Sequence, residues 1–143
     1  MLITKIDAKG KLVWIQKLGK RQSRTQGGAV YFTRQGGMSY QYMNQNRNHY
    51  FLFLDNKKNL ELPLNKVPAR HINGQGGFLT AYKINDANGT VSKMSIFDMR
   101  DVQGTELFQF MTDRILPLSN NEFVVEVYKK KKEDILIKVT LEK

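Results

Sequence analysis

Apolar and polar residues alternate along most of this chain, and a period of two restricts it to β-structure. Ile135, Ile137, Val139 and Leu141 interleave with Leu136, Lys138, Thr140 and Glu142. The β-branched and aromatic run Phe123 to Tyr128 precedes them, and Lys129 to Asp134 form a charged hairpin tip between the two. Leu2 to Asp7 and Leu12 to Leu18 form a second hairpin through Ala8-Lys9-Gly10-Lys11, where Gly10 supplies the positive φ of the turn. Phe78 to Asn85 and Thr90 to Phe97 form a third, closed by Asp86-Ala87-Asn88-Gly89. Tyr50 to Leu54 is a further strand, and Met38 to Met43 and Ile115 to Leu118 are shorter ones, the last held to an edge or a strand end by Pro117. Glu106 to Met111 fits either a strand or a helical turn. Gly19 to Gly37 and Leu62 to Gly77 read as weakly structured.

These elements make one all-β domain over residues 1–143, an antiparallel meander with a core of Ile6, Val13, Trp14, Ile15, Leu52, Leu54, Leu79, Ile84, Val125, Val127, Ile137 and Val139. Trp14 is placed in that core because Leu12, Trp14 and Leu18 fall on one face. A chain of 143 residues without cysteine has enough core to need no disulfide, and it offers no thiolate ligand or nucleophile. Its apolar runs, such as Phe51 to Leu54, are too short to cross a bilayer as a helix.

An internal repeat sharpens the architecture. Lys5-Ile6-Asp7-Ala8-Lys9-Gly10 with Leu12-Val13-Trp14 is echoed by Lys83-Ile84-Asn85-Asp86-Ala87-Asn88-Gly89 with Val91, and Ile137 to Thr140 repeat the first half. The repeat divides the strands into two, then four, then three. The segment DAKGKLVWIQKL, followed by YFLFLDNKKNL, GGFLTAYKINDANGTVSKMSIFD and ILPLSNNEFVVEVYKKKKEDILIKVTLE, resembles the last blades of a family of bacterial cell-envelope β-propeller-like proteins of unassigned function. The resemblance implies about two propeller-like four-stranded blades, the C-terminal piece of a larger propeller, and the cell envelope over the cytoplasm. No apolar run follows Met1, so no secretory signal is expected in the chain.

Charge carries the functional expectation. Lysine and arginine number 23 against 13 acids, for a net charge of +10, and residues 1 to 50 hold nine of the cations against Asp7 alone. Lys17, Lys20, Arg21, Arg24 and Arg34, interleaved with Tyr31, form a basic segment suited to an anionic contact. We expect a non-enzymatic binding or scaffold module that uses Lys17, Lys20, Arg21, Arg24, Tyr31 and Arg34 against a protein partner. Cations beside an aromatic also suit single-stranded nucleic acid, the alternative reading. A glycan-processing enzyme is the third, resting on Asp98 and Asp101, which read more simply as a turn after Phe97.

No cofactor, metal site or catalytic residue is expected. His49 and His71 read as surface histidines, and Gly27-Gly28, Gly36-Gly37 and Gly76-Gly77 lack the flanking strand, helix and lysine of a phosphate loop. Blades too few to close a ring leave edges open, which favours a homodimer by strand exchange over internal pairing of Leu12 to Leu18 beside Ile135 to Leu141. Light scattering at micromolar concentration is expected to show the dimer, and a 16.6 kDa particle overturns the exchange.

Overall fold

A computed structural model describes residues 1–23, 39–72, 77–105, 107–118, 121–129 and 133–141. Within them the chain is all-β, with strands β1 (Leu2–Ile6), β2 (Leu12–Lys17), β3 (Gln22–Ser23), β4 (Gln41–Gln45), β5 (Asn48–Asp55), β6 (His71–Ile72), β7 (Phe78–Asn85), β8 (Val91–Asp98), β9 (Leu107–Pro117), β10 (Glu122–Lys129) and β11 (Glu133–Thr140). The ambiguous segment after residue 106 is extended and merges with Ile115 to Pro117 into β9, an edge strand that ends on its proline. No helix among the described residues is long and apolar enough to cross a membrane.

The hairpin β1-β2, the four-stranded meander β4-β5-β7-β8 and the three-stranded meander β9-β10-β11 are all antiparallel. Their strand counts of two, four and three follow the order expected from the sequence. The two-residue strands β3 and β6 pair in parallel. The described ladders pair β2 with β1 and β11 with β10, so β2 does not lie beside β11.

The four-stranded sheet lies in the middle. Six consecutive residues of β5, Tyr50 to Asp55, are buried because both faces of their sheet are covered. Tyr50, Leu52 and Leu54 point to one side, where Leu79 and Ala81 of β7 join Ile115, Phe123, Val125, Val127 and Val139 of the three-stranded sheet. Phe51 and Phe53 point to the other side, where Tyr82 and Ile84 meet Trp14 and Leu18. The Phe53 and Tyr82 rings stack at 5.3 Å between centroids.

The N-terminal hairpin is fastened by polar contacts as well as by its tryptophan. Trp14 Nε1 donates to the Asp86 carbonyl at 3.0 Å, and Lys5 Nζ lies 2.6 Å from Asp86 Oδ1. His49 Nε2 is 2.9 Å from the same Oδ1, and the Tyr42 hydroxyl is 2.8 Å from His49 Nδ1. The hydrogen bonds from Lys5 and His49 hold the Asp86 carboxyl below the usual carboxylate range.

This attachment corrects the expected core. Lys5 and Trp14 are opposite one another on the inner face, so Ile6, Val13 and Ile15 turn outward and are 61%, 44% and 49% exposed. Leu12 is exposed too: the ladder shifts between Lys5 and Ile6, breaking the face it was expected to share with Trp14. Leu52, Leu54, Leu79, Ile84, Val125, Val127 and Val139 are buried as expected, and Ile137 is half-buried against the main cluster. The strand expected over Met38 to Met43 runs instead over Gln41–Gln45 and turns at Asn46 and Arg47, with φ of 50° and 57°. That two-residue hairpin turn is of the kind that favours Asn-Gly.

The two halves of the repeat build related turns, the second longer by one residue: the Gly10 amide donates to the Asp7 carbonyl and the Gly89 amide to the Asn85 carbonyl. Asp7 Oδ1 accepts from the Lys9 and Lys11 amides, and Asn85 Oδ1 accepts from the Ala87 and Asn88 amides. Gly10 and Gly89 then carry φ of +80° and +71°. Their surroundings differ: a Cβ on Gly10 meets open space, whereas one on Gly89 comes to 2.7 Å from Trp14 Cγ. Gly10→Ala is therefore expected to cost only the left-handed strain of about 1 kcal/mol. Gly89→Ala adds the displacement of Trp14, for a total of about 3 kcal/mol. Urea unfolding of the two variants measures the difference.

Candidate functional site

The last rung of the four-stranded sheet sets Asp55, Phe78 and Asp98 side by side on β5, β7 and β8. Three strands at the usual spacing make this end of the sheet about 10 Å wide. The chain leaves β5 there, re-enters at Gly77 and leaves β8 there. A cavity of about 400 Å³ at this end is lined by Asn56, Lys57, Arg70, His71, Ile72, Gly77, Phe78, Asp98 and Arg100.

The connection from β5 to β6 is bolted down, although its prolines suggested little structure. Buried Asn59 donates through Nδ2 to Asp55 Oδ1 at 2.6 Å and to the Ala69 carbonyl at 2.9 Å, while its Oδ1 accepts from the Ala69 amide at 2.7 Å. Asn56 caps the 3-10 turn Lys57–Asn59 through the Lys58 amide, and its Nδ2 holds the Arg70 carbonyl at 2.9 Å. Lys93 Nζ donates to the carbonyls of Asn59 and Leu62. Lys57 and Arg70 are thus exposed side chains on a fixed backbone. Arg100 follows Asp98, whose Oδ1 accepts the Arg100 amide at 2.9 Å. Asp98 and Asp101 therefore form the turn read from the sequence; Asp101 Oδ1 accepts from the Gly104 amide.

Behind the rim the polar groups are buried. His71 is 5% exposed, which corrects its reading as a surface histidine, and Asp55 is 1% exposed. His71 Nε2 and Asp55 Oδ2 have no hydrogen-bond partner among the described residues. Each such group costs about 1–3 kcal/mol. Burial, reinforced by the Lys20 charge, lowers the His71 pKa, and burial raises that of Asp55. Gly77, with φ +84°, closes against both residues: a Cβ there falls 2.7 Å from the Asp55 carbonyl and 2.8 Å from His71 Cε1. Only glycine fits that approach.

The site residues expected from the sequence divide three ways. Arg21 stands beside the cavity: its carbonyl accepts the His71 amide at 2.9 Å and its guanidinium donates to the Pro68 carbonyl at 3.2 Å. Lys20 turns inward, bonded to Gln22 and 5.7 Å from the centre of the Phe53 ring, with its pKa lowered by burial. Lys17 is exposed at the end of β2. Arg24, Tyr31 and Arg34 lie outside the described residues, as do Gly27-Gly28 and Gly36-Gly37. Lys57, Arg70 and Arg100 were not singled out, since residues 13 and 30 positions apart meet only once the strand register is known.

The charged side chains of the lining are mostly positive. Three cations face one carboxylate, and none of the three forms an ion pair among the described residues. Its floor is sensitive to acid. The unfolded chain takes up a proton on His71 near pH 6.5, whereas the fold resists it, so stability is lost as pH falls below that value. Asp55 acts oppositely at lower pH: its raised pKa lets the fold bind a proton before the unfolded chain does, so stability returns as pH falls toward 3.8. Urea midpoints are expected to fall between about pH 7 and about pH 5.5, with the loss reduced in His71→Leu.

In comparisons with family models, with curated proteins and with solved structures, nothing matches the chain, so the cavity is read from its own residues.

Proposed function

We propose that the chain is a non-enzymatic binding module that holds an acidic protein partner against the basic face around this cavity. The observation that carries the reading is the meeting of Lys57, Arg70 and Arg100 around one end of the sheet, with Arg21 of the basic segment bonded to the neighbouring loop at Pro68. Lys57 and Arg70 sit on backbone fixed by Asn56 and Asn59, and the Arg100 amide is held by Asp98, so little ordering of the backbone accompanies contact. The scaffold part of the reading, a second copy of the chain, is supported by Leu2, Ile6, Leu12 and Ile15, which leave the outer face of the hairpin apolar and exposed.

Single-stranded nucleic acid is the second reading, favoured by Tyr40 and Tyr42. Each is 44% exposed on or beside edge strand β4, as a base-stacking surface requires.

Poly-L-glutamate and an unphosphorylated single-stranded oligonucleotide separate the readings. An acidic-protein surface is expected to retain poly-glutamate at low salt, with affinity falling at least about tenfold in the Arg21→Glu, Lys57→Glu double variant. Preference for the oligonucleotide, with a steep salt slope and a loss in Tyr40→Ala, supports the second reading. Binding to neither probe overturns both.

A further inference from the structure

We propose that the cavity at the end of the four-stranded sheet is a phosphomonoester site, with Lys57, Arg70 and Arg100 taking the charge of the group. The inference rests on the reading of this face as anion-binding and narrows it to one chemical group.

Three features select that group. The lining carries three cations against Asp98 alone, an excess that suits a dianion better than a single carboxylate. Two of the cations are arginines, whose planar forks match the oxygens of a phosphate, and the lysine adds a compact third charge. The volume of about 400 Å³ exceeds that of a phosphate group, and the rest of the wall includes the apolar side chains of Phe78 and Ile72 beside Asn56, His71 and Gly77. The site therefore has room for a carbon-bearing substituent as well as for the oxygens. Gly77 contributes by what it lacks, since any side chain there is driven into Asp55 and His71 and distorts the floor.

The chain supplies its own reporter. Its two histidines stand at opposite ends of the same sheet, His71 in the cavity wall and His49 opposite Ile84. Lys20, Asp55, Lys57, Arg70, Asp98 and Arg100 are the charged groups around His71, while His49 is beside Lys5 and Asp86. A dianion in the cavity offsets the cations and makes His71 easier to protonate, and it leaves His49 alone.

Proton NMR titration of both imidazoles tests this, with inorganic phosphate and a phosphoserine peptide as probes and the unphosphorylated peptide and chloride as controls. The expected result is an upward move of the His71 titration that saturates at about 1 mM probe or below, with His49 unmoved. Arg70→Glu and Arg100→Glu, both exposed positions, are expected to weaken the response at least about tenfold without unfolding the chain. Tighter binding of the phosphopeptide assigns the site to a modified side chain, and equal binding assigns it to a small phosphate; both support the site. Equal movement of the two histidines, the same effect from chloride, or no response overturns it. Retention of poly-glutamate without a phosphate response leaves the basic-face reading standing and removes only the phosphate site.

Discussion

A β-sheet buried on both faces has to be covered twice, and the rest of this structure follows from that requirement. The six buried residues from Tyr50 to Asp55 give β5 no wet side. The three-stranded sheet supplies one cover through Phe123, Val125 and Val127, and the N-terminal hairpin supplies the other through Trp14 and Leu18. Truncating a fully buried residue such as Leu52 or Phe53 removes contacts from a sheet that has no solvent to relax toward, so the cost belongs in the range of about 2–5 kcal/mol. The buried run also ends on a charge. Asp55 is carried inside by the strand that precedes it, and Asn59 answers it by closing the following loop over the sheet end. The wall of the cavity is thus a by-product of capping a doubly buried strand.

Much of the fold was legible because turns and alternation are local. Asp7, Gly10, Asn85 and Gly89 announce two hairpins of related construction, and the structure has both. What alternation lacks is phase. Ile3 and Ile6 belong to opposite faces of β1, and nothing within the hairpin says which is inner. The choice is made by Asp86, which draws Lys5 and Trp14 inward from more than 70 positions away. Ile6, Val13 and Ile15 were misplaced for that reason. The Asn46-Arg47 turn was missed because arginine is an unusual residue at positive φ.

The site was legible only at its edge. Arg21 stood out in the basic segment and is bonded to Pro68 and to the His71 amide beside the cavity, but Lys57, Arg70 and Arg100 are scattered residues that the register of β5, β7 and β8 gathers. His71 looked solvent-facing beside glycine and proline. Its pairing with the β3 segment, which carries the Gln22 side chain to the Leu54 carbonyl, seals it against the sheet. The available signal was the pair Asn56 and Asn59, short amides able to hold a loop of this composition in one shape.

The placement of Trp14 also sets an order of assembly. The hairpin leaves a ribosome before its seat, which is made from Phe51, Tyr82, Asp86 and Gly89, the last of them 75 residues after Trp14. Until then the hairpin has nothing to cover, and β5 has nothing to cover it. A chain built in this way meets its aggregation hazard during synthesis, when an exposed Tyr50 to Leu54 is an adhesive strand awaiting two neighbours. The long loop that must close before Trp14 reaches Asp86 makes the hairpin wait for a seat formed much later in the chain.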